Sequence, residues 1–128
     1  MTNEKGKILL SDDEEEMRML TSFTLQENFP QFEVESFEDG ASLENRLNGY
    51  THDVRLVITD NDMPRLTGSE IIDRYATRLR FKNIPFILCY GGEDQIGEKA
   101  VKNGAFAYIK KPFNPEDYVG IVRKALKL

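Results

Sequence analysis

Asp12-Asp13, Asp60 and Lys111 are the residues of this chain whose types and positions point to chemistry. Asp60 closes Leu56-Val57-Ile58-Thr59, an apolar, β-branched run that is too short for a helix and reads as a buried central strand. Asp12 and Asp13 follow a similar run, Lys7 to Ser11; Tyr90 ends Phe86 to Tyr90, and Lys111 follows Ala105 to Lys110. In open parallel sheets the carboxyl ends of the strands form the ligand crevice. Neighbouring strands lie only about 4.8 Å apart, so groups at the ends of adjacent central strands converge. Carboxylates that close repel one another, and a divalent cation relieves them. Oxygen donors without a His/Cys cluster suit Mg2+ or Mn2+ rather than zinc. Each residue alone also has a plainer reading. Asp60, Asn61 and Asp62 suit a turn locked by Pro64, Asp12 and Asp13 suit caps, and Lys111 suits a surface lysine before Pro112. Independent caps need not fall at the ends of different strands on one edge, which favours a site.

The elements that must position these groups alternate. After the first strand, Glu14-Glu15-Glu16 suits a helix start, and Met17, Leu20 and Phe23 or Thr24 form its expected inward face. Phe32, Val34 and Ser36 alternate with Glu33 and Glu35, as in a strand near the sheet edge. Gly40 precedes a short helix with Leu43 and Leu47 inward, ended by Asn48-Gly49. Past Gly68, Ile71, Ile72, Tyr75 and Leu79 recur at helical spacing, and Pro85 introduces the fourth strand. A helix with Ile96, Ala100 and Val101 inside runs to Asn103-Gly104, and Ala105 to Lys110 is the fifth strand. Asn114 caps a last helix from Pro115, with a stripe of Tyr118, Val119, Ile121, Val122, Ala125 and Leu126. Five β-α units imply an α/β fold, a doubly wound parallel sheet with helices on both faces.

The 128 residues, 40% hydrophobic and 30% charged, suit one domain over 1–128 with a sizeable core. No apolar run approaches the roughly 20 residues of a membrane span, and MTNEKGK is polar, so a soluble, cytoplasmic chain is expected. The net charge of −5 argues against nucleic acid as a partner. Arg123, Lys124 and Lys127 cluster where cations complement a helix end. Cys89, the single cysteine, reads as a buried core residue, and His52 as a solvated one.

The order SDDE, TDNDMPRLTG and NGAFAYIKKPF resembles the receiver domain of two-component response regulators over nearly the whole chain. Asp12-Asp13 match its acidic pair; Asp60, Met63, Pro64 and Gly68 match D-x-x-M-P-x-x-x-G; Gly104, Ala105, Tyr108, Lys111, Pro112 and Phe113 match G-A-x-x-Y-x-x-K-P-F. The resemblance implies a flavodoxin-like (β/α)5 fold with strand order 2-1-3-4-5, which the chemotaxis receiver exemplifies. It implies that Asp60 accepts a phosphoryl group from a histidine kinase or phosphotransfer protein and thereby switches a partner-binding face over the fourth and fifth helices. It further implies Mg2+ (or Mn2+) held by Asp13, Asp60 and the Asp62 backbone carbonyl, with Asp12 acting through water. Lys111, aimed by a cis peptide bond to the Pro112 that follows it, and the Gly91 backbone would hold the phosphate. Such a protein is not an enzyme but an acceptor that assists its own phosphorylation and dephosphorylation.

Tyr90 departs from the family, whose small hydroxyl at this position couples to the aromatic at Tyr108. A phenol carries its hydroxyl a ring's width further, so Tyr90 is expected to lie outward over Gly91-Gly92. That leaves an alternative, a degenerate receiver acting as a phosphorylation-insensitive binding module. A third reading takes Asp60 and Asp62 as the acid pair of a haloacid-dehalogenase-like phosphatase. The kinase, the output and any fused effector are not legible in the sequence.

Overall fold

A computed structural model describes residues 5–128. The strands are β1 (Gly6–Ser11), β2 (Phe32–Phe37), β3 (Val54–Asp60), β4 (Phe86–Tyr90) and β5 (Ala107–Lys110). They alternate with α1 (Glu15–Asn28), α2 (Gly40–Leu47), α3 (Gly68–Tyr75), α4 (Asp94–Lys102) and α5 (Pro115–Ala125), and a 3-10 turn at Leu79–Phe81 follows α3. All pairings are parallel, in the order β2-β1-β3-β4-β5. The chain winds from β1 to one edge and then returns across it to β3, so the crevice of such folds opens at the carboxyl ends of β1 and β3. Register sets Ser11 opposite Thr59 and Asp60 opposite Cys89, which brings the acidic residues after β1 beside Asp60.

Strand alternation divides the apolar side chains between two cores. Leu9, Val57, Leu88 and Tyr90 face α2, α3 and α4 and pack with Leu43, Ile71 and Ala100. Ile8, Leu10, Ile58, Ile87, Cys89 and Ile109 face α1 and α5. The helices start at side-chain caps where the sequence supplies them. Asp39 accepts from the Ser42 amide, Thr67 and Glu70 form a reciprocal capping box, and Asn114 accepts from the Asp117 amide with Pro115 in the first turn.

Three helical faces differ from the sequence expectation. α1 buries Thr21 and Leu25, while Leu20 and Phe23 are exposed on its far side. Leu25 and Phe29 anchor this helix in the core, and the Thr21 hydroxyl donates to the Met17 carbonyl at 2.8 Å, so that polar residue can face inward. In α4, Ile96 and Val101 are exposed and the contact is made by Gly97 and Ala100. A Cβ at Gly97 would overlap the Tyr108 ring, so its absence is what lets α4 lie close on β5. Leu79 lies beyond the end of α3 and is exposed, and β5 begins at Ala107 rather than Ala105.

The β3–α3 connection is held close to the site. Arg65 has φ 73°, and Gly68 turns so tightly that a Cβ there would run into the Asp60 carbonyl oxygen. Because backbone cannot yield as a flexible side chain can, Gly68→Ala is expected to cost about 1–3 kcal/mol. Urea denaturation would measure it, and an unchanged midpoint would show that the loop has slack.

Candidate functional site

Each site residue sits at a strand end held by its neighbours. The Ser11 hydroxyl donates to Thr59 Oγ1 at 2.7 Å, tying β1 to β3, and the Asn61 amide donates to the Cys89 carbonyl, tying β3 to β4. The Lys111 amide donates to the Tyr90 carbonyl at 2.7 Å, tying the end of β5 to β4. Asn61 accepts from the Ser69 amide and hydroxyl, fixing the loop that leaves Asp60.

Asp12, Asp13 and Asp60 come together: one carboxylate oxygen from each lies within 4.8 Å of the others. Asp12 and Asp60 are 4% and 5% exposed. Lys111 Nζ reaches Asp60 Oδ1 at 3.0 Å and Asp12 Oδ2 at 3.7 Å. Lys110 points the other way and pairs with Asp94. The Lys111–Pro112 peptide is cis. Asp12 does not cap α1, but it holds the turn into it, since its Oδ1 accepts from the Glu14 amide at 2.9 Å. A gap of only about 10 Å3 remains among Asp12, Asp60, Cys89, Lys111 and Tyr118, so the charged groups face one another rather than solvent.

Burial pushes the Asp60 carboxyl up to about 6; the hydrogen bond and charge of Lys111 oppose the rise, and Asp12 and Asp62 add to it. Burial works against the charge of Lys111, but the bond to Asp60 and the charges of Asp60 and Asp12 outweigh it and raise its pKa. Three carboxylates against one ammonium leave an excess of negative charge. The donor set is oxygen alone, and it fits a hard divalent cation.

One side chain is not where the sequence reading put it. Tyr90 does not lie outward over Gly91-Gly92: it is 1% exposed, packed in the core beneath α4 with its ring 5.6 Å from that of Tyr108. Alternation is the reason, because Cys89 takes the face that Asp60 occupies and Tyr90 must take the other. Its hydroxyl has no hydrogen-bond partner among the described residues, and burial raises its pKa. Tyr108 beside it is half-buried. Cys89, read as a buried core residue, is one, and it is also the neighbour of Asp60 on the site's face; burial pushes its thiol up to about 12, so it stays neutral. The period of two from Tyr90 was the signal that could have found it. Asp62 has an exposed side chain, and Gly91 is exposed at the end of β4.

A sequence profile described as the response regulator receiver domain matches residues 8–123. The chain is 32% identical over 112 residues to chemotaxis protein CheY1 of Helicobacter pylori, covering 86% of this chain and 88% of that one. It is 31% identical over 119 residues to hybrid signal transduction histidine kinase D of Dictyostelium discoideum, covering 92% of this chain but only 7% of the kinase. The crystal structure of a response regulator receiver domain protein from Clostridium thermocellum superposes with a TM-score of 0.84 at 26% identity, covering 95% of this chain and 94% of that one. With Asp60 ending the third strand of this sheet, the phosphatase reading loses its footing.

Asp60 titrates with a definite sign. Its folded value, about 6, lies above the ordinary 3.8, so the native state holds the proton more tightly and stability falls as pH rises between the two. In chelator, wild type should lose on the order of 1–3 kcal/mol relative to Asp60→Asn between pH 4 and 7. Denaturant melts at each pH read this directly, and a constant difference would mean Asp60 titrates as an ordinary carboxylate.

Proposed function

This chain belongs to the response regulator receiver domain family, and from that premise we propose that it is the phosphoacceptor of a two-component system, with Asp60 taking the group from a phosphohistidine. An Asp60 oxygen bonds to phosphorus as the phosphorus–nitrogen bond breaks and its electron pair returns to the imidazole of the donor, a histidine kinase or phosphotransfer protein. The observation that carries this reading is the Lys111 ammonium 3.0 Å from Asp60 in a crevice it shares with Asp12.

A carboxylate nucleophile needs little covalent help; the incoming charge must be neutralised and held in line. Asp60 is largely ionised at neutral pH despite its raised pKa. Lys111 trades part of its contact with Asp60 for a phosphoryl oxygen, acting as a point charge. Gly91, exposed and without a side chain, offers its backbone N–H to a second oxygen. Asp12, Asp13, Asp60 and the Asp62 carbonyl would hold Mg2+ or Mn2+, which when bound neutralises charge at the acceptor. The outer face of α1, with Met19, Leu20 and Phe23 all exposed, rises from this edge and gives the donor protein an apolar seat. The same reading puts the chain in the cytoplasm.

The first test is intact mass after incubation with a small phosphodonor. One phosphoryl group should be gained, with Mg2+ required and Asp60→Asn inert. Labelling of Asp60→Asn, or labelling indifferent to chelator, would refute the acceptor role.

A second reading, acceptance without transmission, is favoured by the burial of Tyr90 against Tyr108. The Tyr90 ring is buried against that of Tyr108, and no small hydroxyl stands at that position to follow the phosphate. A group making equal contacts in both states cannot shift their balance. Beryllofluoride should then move amide resonances near Asp60 in the wild type and leave those of Tyr108 and α4 nearly still. In Tyr90→Thr, where the space is vacated, the response should spread to Tyr108. A full response across α4, β5 and α5 in the unmodified protein would overturn this second reading and leave the acceptor role intact.

A further inference from the structure

The opposite edge of the sheet, where the strands begin, carries two adjoining clefts. One, of about 580 Å3, lies between Phe32 and Lys127; the other, of about 400 Å3, lies between Thr51 and Ile84. They share Arg55, Lys82, Asn83 and Ile84 and so form one groove. Four cations line it, Arg55, Arg80, Lys82 and Lys127, and no Asp or Glu does among the described residues. In a chain with 22 acidic and 17 basic residues, that exclusion of acids is the opposite of what composition would scatter there. None of the four forms an ion pair among the described residues, so their charge is free to meet a ligand. Arg55 donates instead to the His52 carbonyl and Arg80 to the Gly49 carbonyl.

A helix end accounts for part of this. Lys127 follows α5, where a cation complements the macrodipole. Arg80 and Lys82 stand at the end of the 3-10 turn at Leu79–Phe81, a single turn too short to build a sizeable dipole, and Arg55 lies at the start of β3, away from any helix end. The groove is also not purely polar: Phe32, Ile84 and Leu126 are partly buried along it, and Leu79, 84% exposed, and Phe106, 48% exposed, stand at its rim.

We propose that this groove binds an acidic peptide segment of a partner protein, with its carboxylates on the four cations and its apolar side chains on the floor between them. The mixture of free cations and apolar surface fits such a peptide better than a phosphate polymer. A nucleic acid would leave the apolar floor unmatched, and four cations on a chain of net charge −5 give it little to hold. The proposal goes beyond phosphoryl acceptance, since the groove lies at the other end of the strands from Asp60.

The test uses fluorescence anisotropy with a labelled twelve-residue peptide of alternating Glu and Leu. Micromolar binding is expected, weakened at least tenfold in Arg55→Glu/Lys82→Glu. Both positions are exposed, and an unchanged melting curve and Asp60 phosphorylation would show the variant intact. Absent binding, or binding indifferent to the double reversal, overturns the proposal. So does equal affinity for an all-Glu peptide, which would make the floor irrelevant. Tighter binding of a twelve-nucleotide single strand would overturn it in favour of nucleic acid. Self-association in sedimentation that the double reversal abolishes would overturn it in favour of a second copy of this chain.

Discussion

Burying carboxylates at the edge of a sheet is the constraint on which the rest of this structure depends. Asp12 and Asp60 are almost closed off from water, and charge there is tolerable only because Lys111 stands between them. The lysine does not fully offset the cost, as the raised pKa of Asp60 records. Much of the surrounding architecture can be understood as keeping these three groups in register: the Ser11–Thr59 hydroxyl pair, the Lys111 amide on the Tyr90 carbonyl, and the tight passage at Gly68. A residual strain of electrostatic origin is thus held by short, ordinary hydrogen bonds between neighbouring strands.

Because the strands are short and nearly continuous in apolar residues, their order along the chain and the acids that end them could be read without coordinates. The strand order itself came from resemblance. Helix faces were harder, and for a common reason: periodicity assumes that large apolar side chains point inward. In α1 the inward position goes to Thr21, whose hydroxyl is satisfied within the helix, and Leu20 and Phe23 are left outside. In α4 it goes to Gly97, whose value lies in what it lacks. Neither residue carries an apolar signal. Tyr90 departs by a different route, because an expectation built on how far its hydroxyl reaches leaves out the stronger preference of a ring for the core. The free energy of burying the ring exceeds that of leaving its hydroxyl unpaired, and the orphaned oxygen records that choice.

Cys89 shows how closely function and packing share this edge. Its register opposite Asp60 makes it a wall of the crevice, yet its thiol is held neutral by burial. A thiolate there would add a further negative charge to an already crowded site. A neutral, weakly polar sulfur fills the space without that cost.

Acids crowd one end of the strands, from Asp13 to Glu16 and again at Glu93 and Asp94, while unpaired cations gather at the other. A strand of six residues is about 20 Å long, more than twice the roughly 8 Å Debye length of physiological salt. The two ends therefore scarcely feel each other, but a charged body drifting within a few ångströms of either end does. Each end thus acts by itself, and an approaching charge is drawn to one or the other according to its sign before any surfaces touch. Collisions are biased toward one orientation, so the chain arrives already turned, at a rate that ionic strength sets.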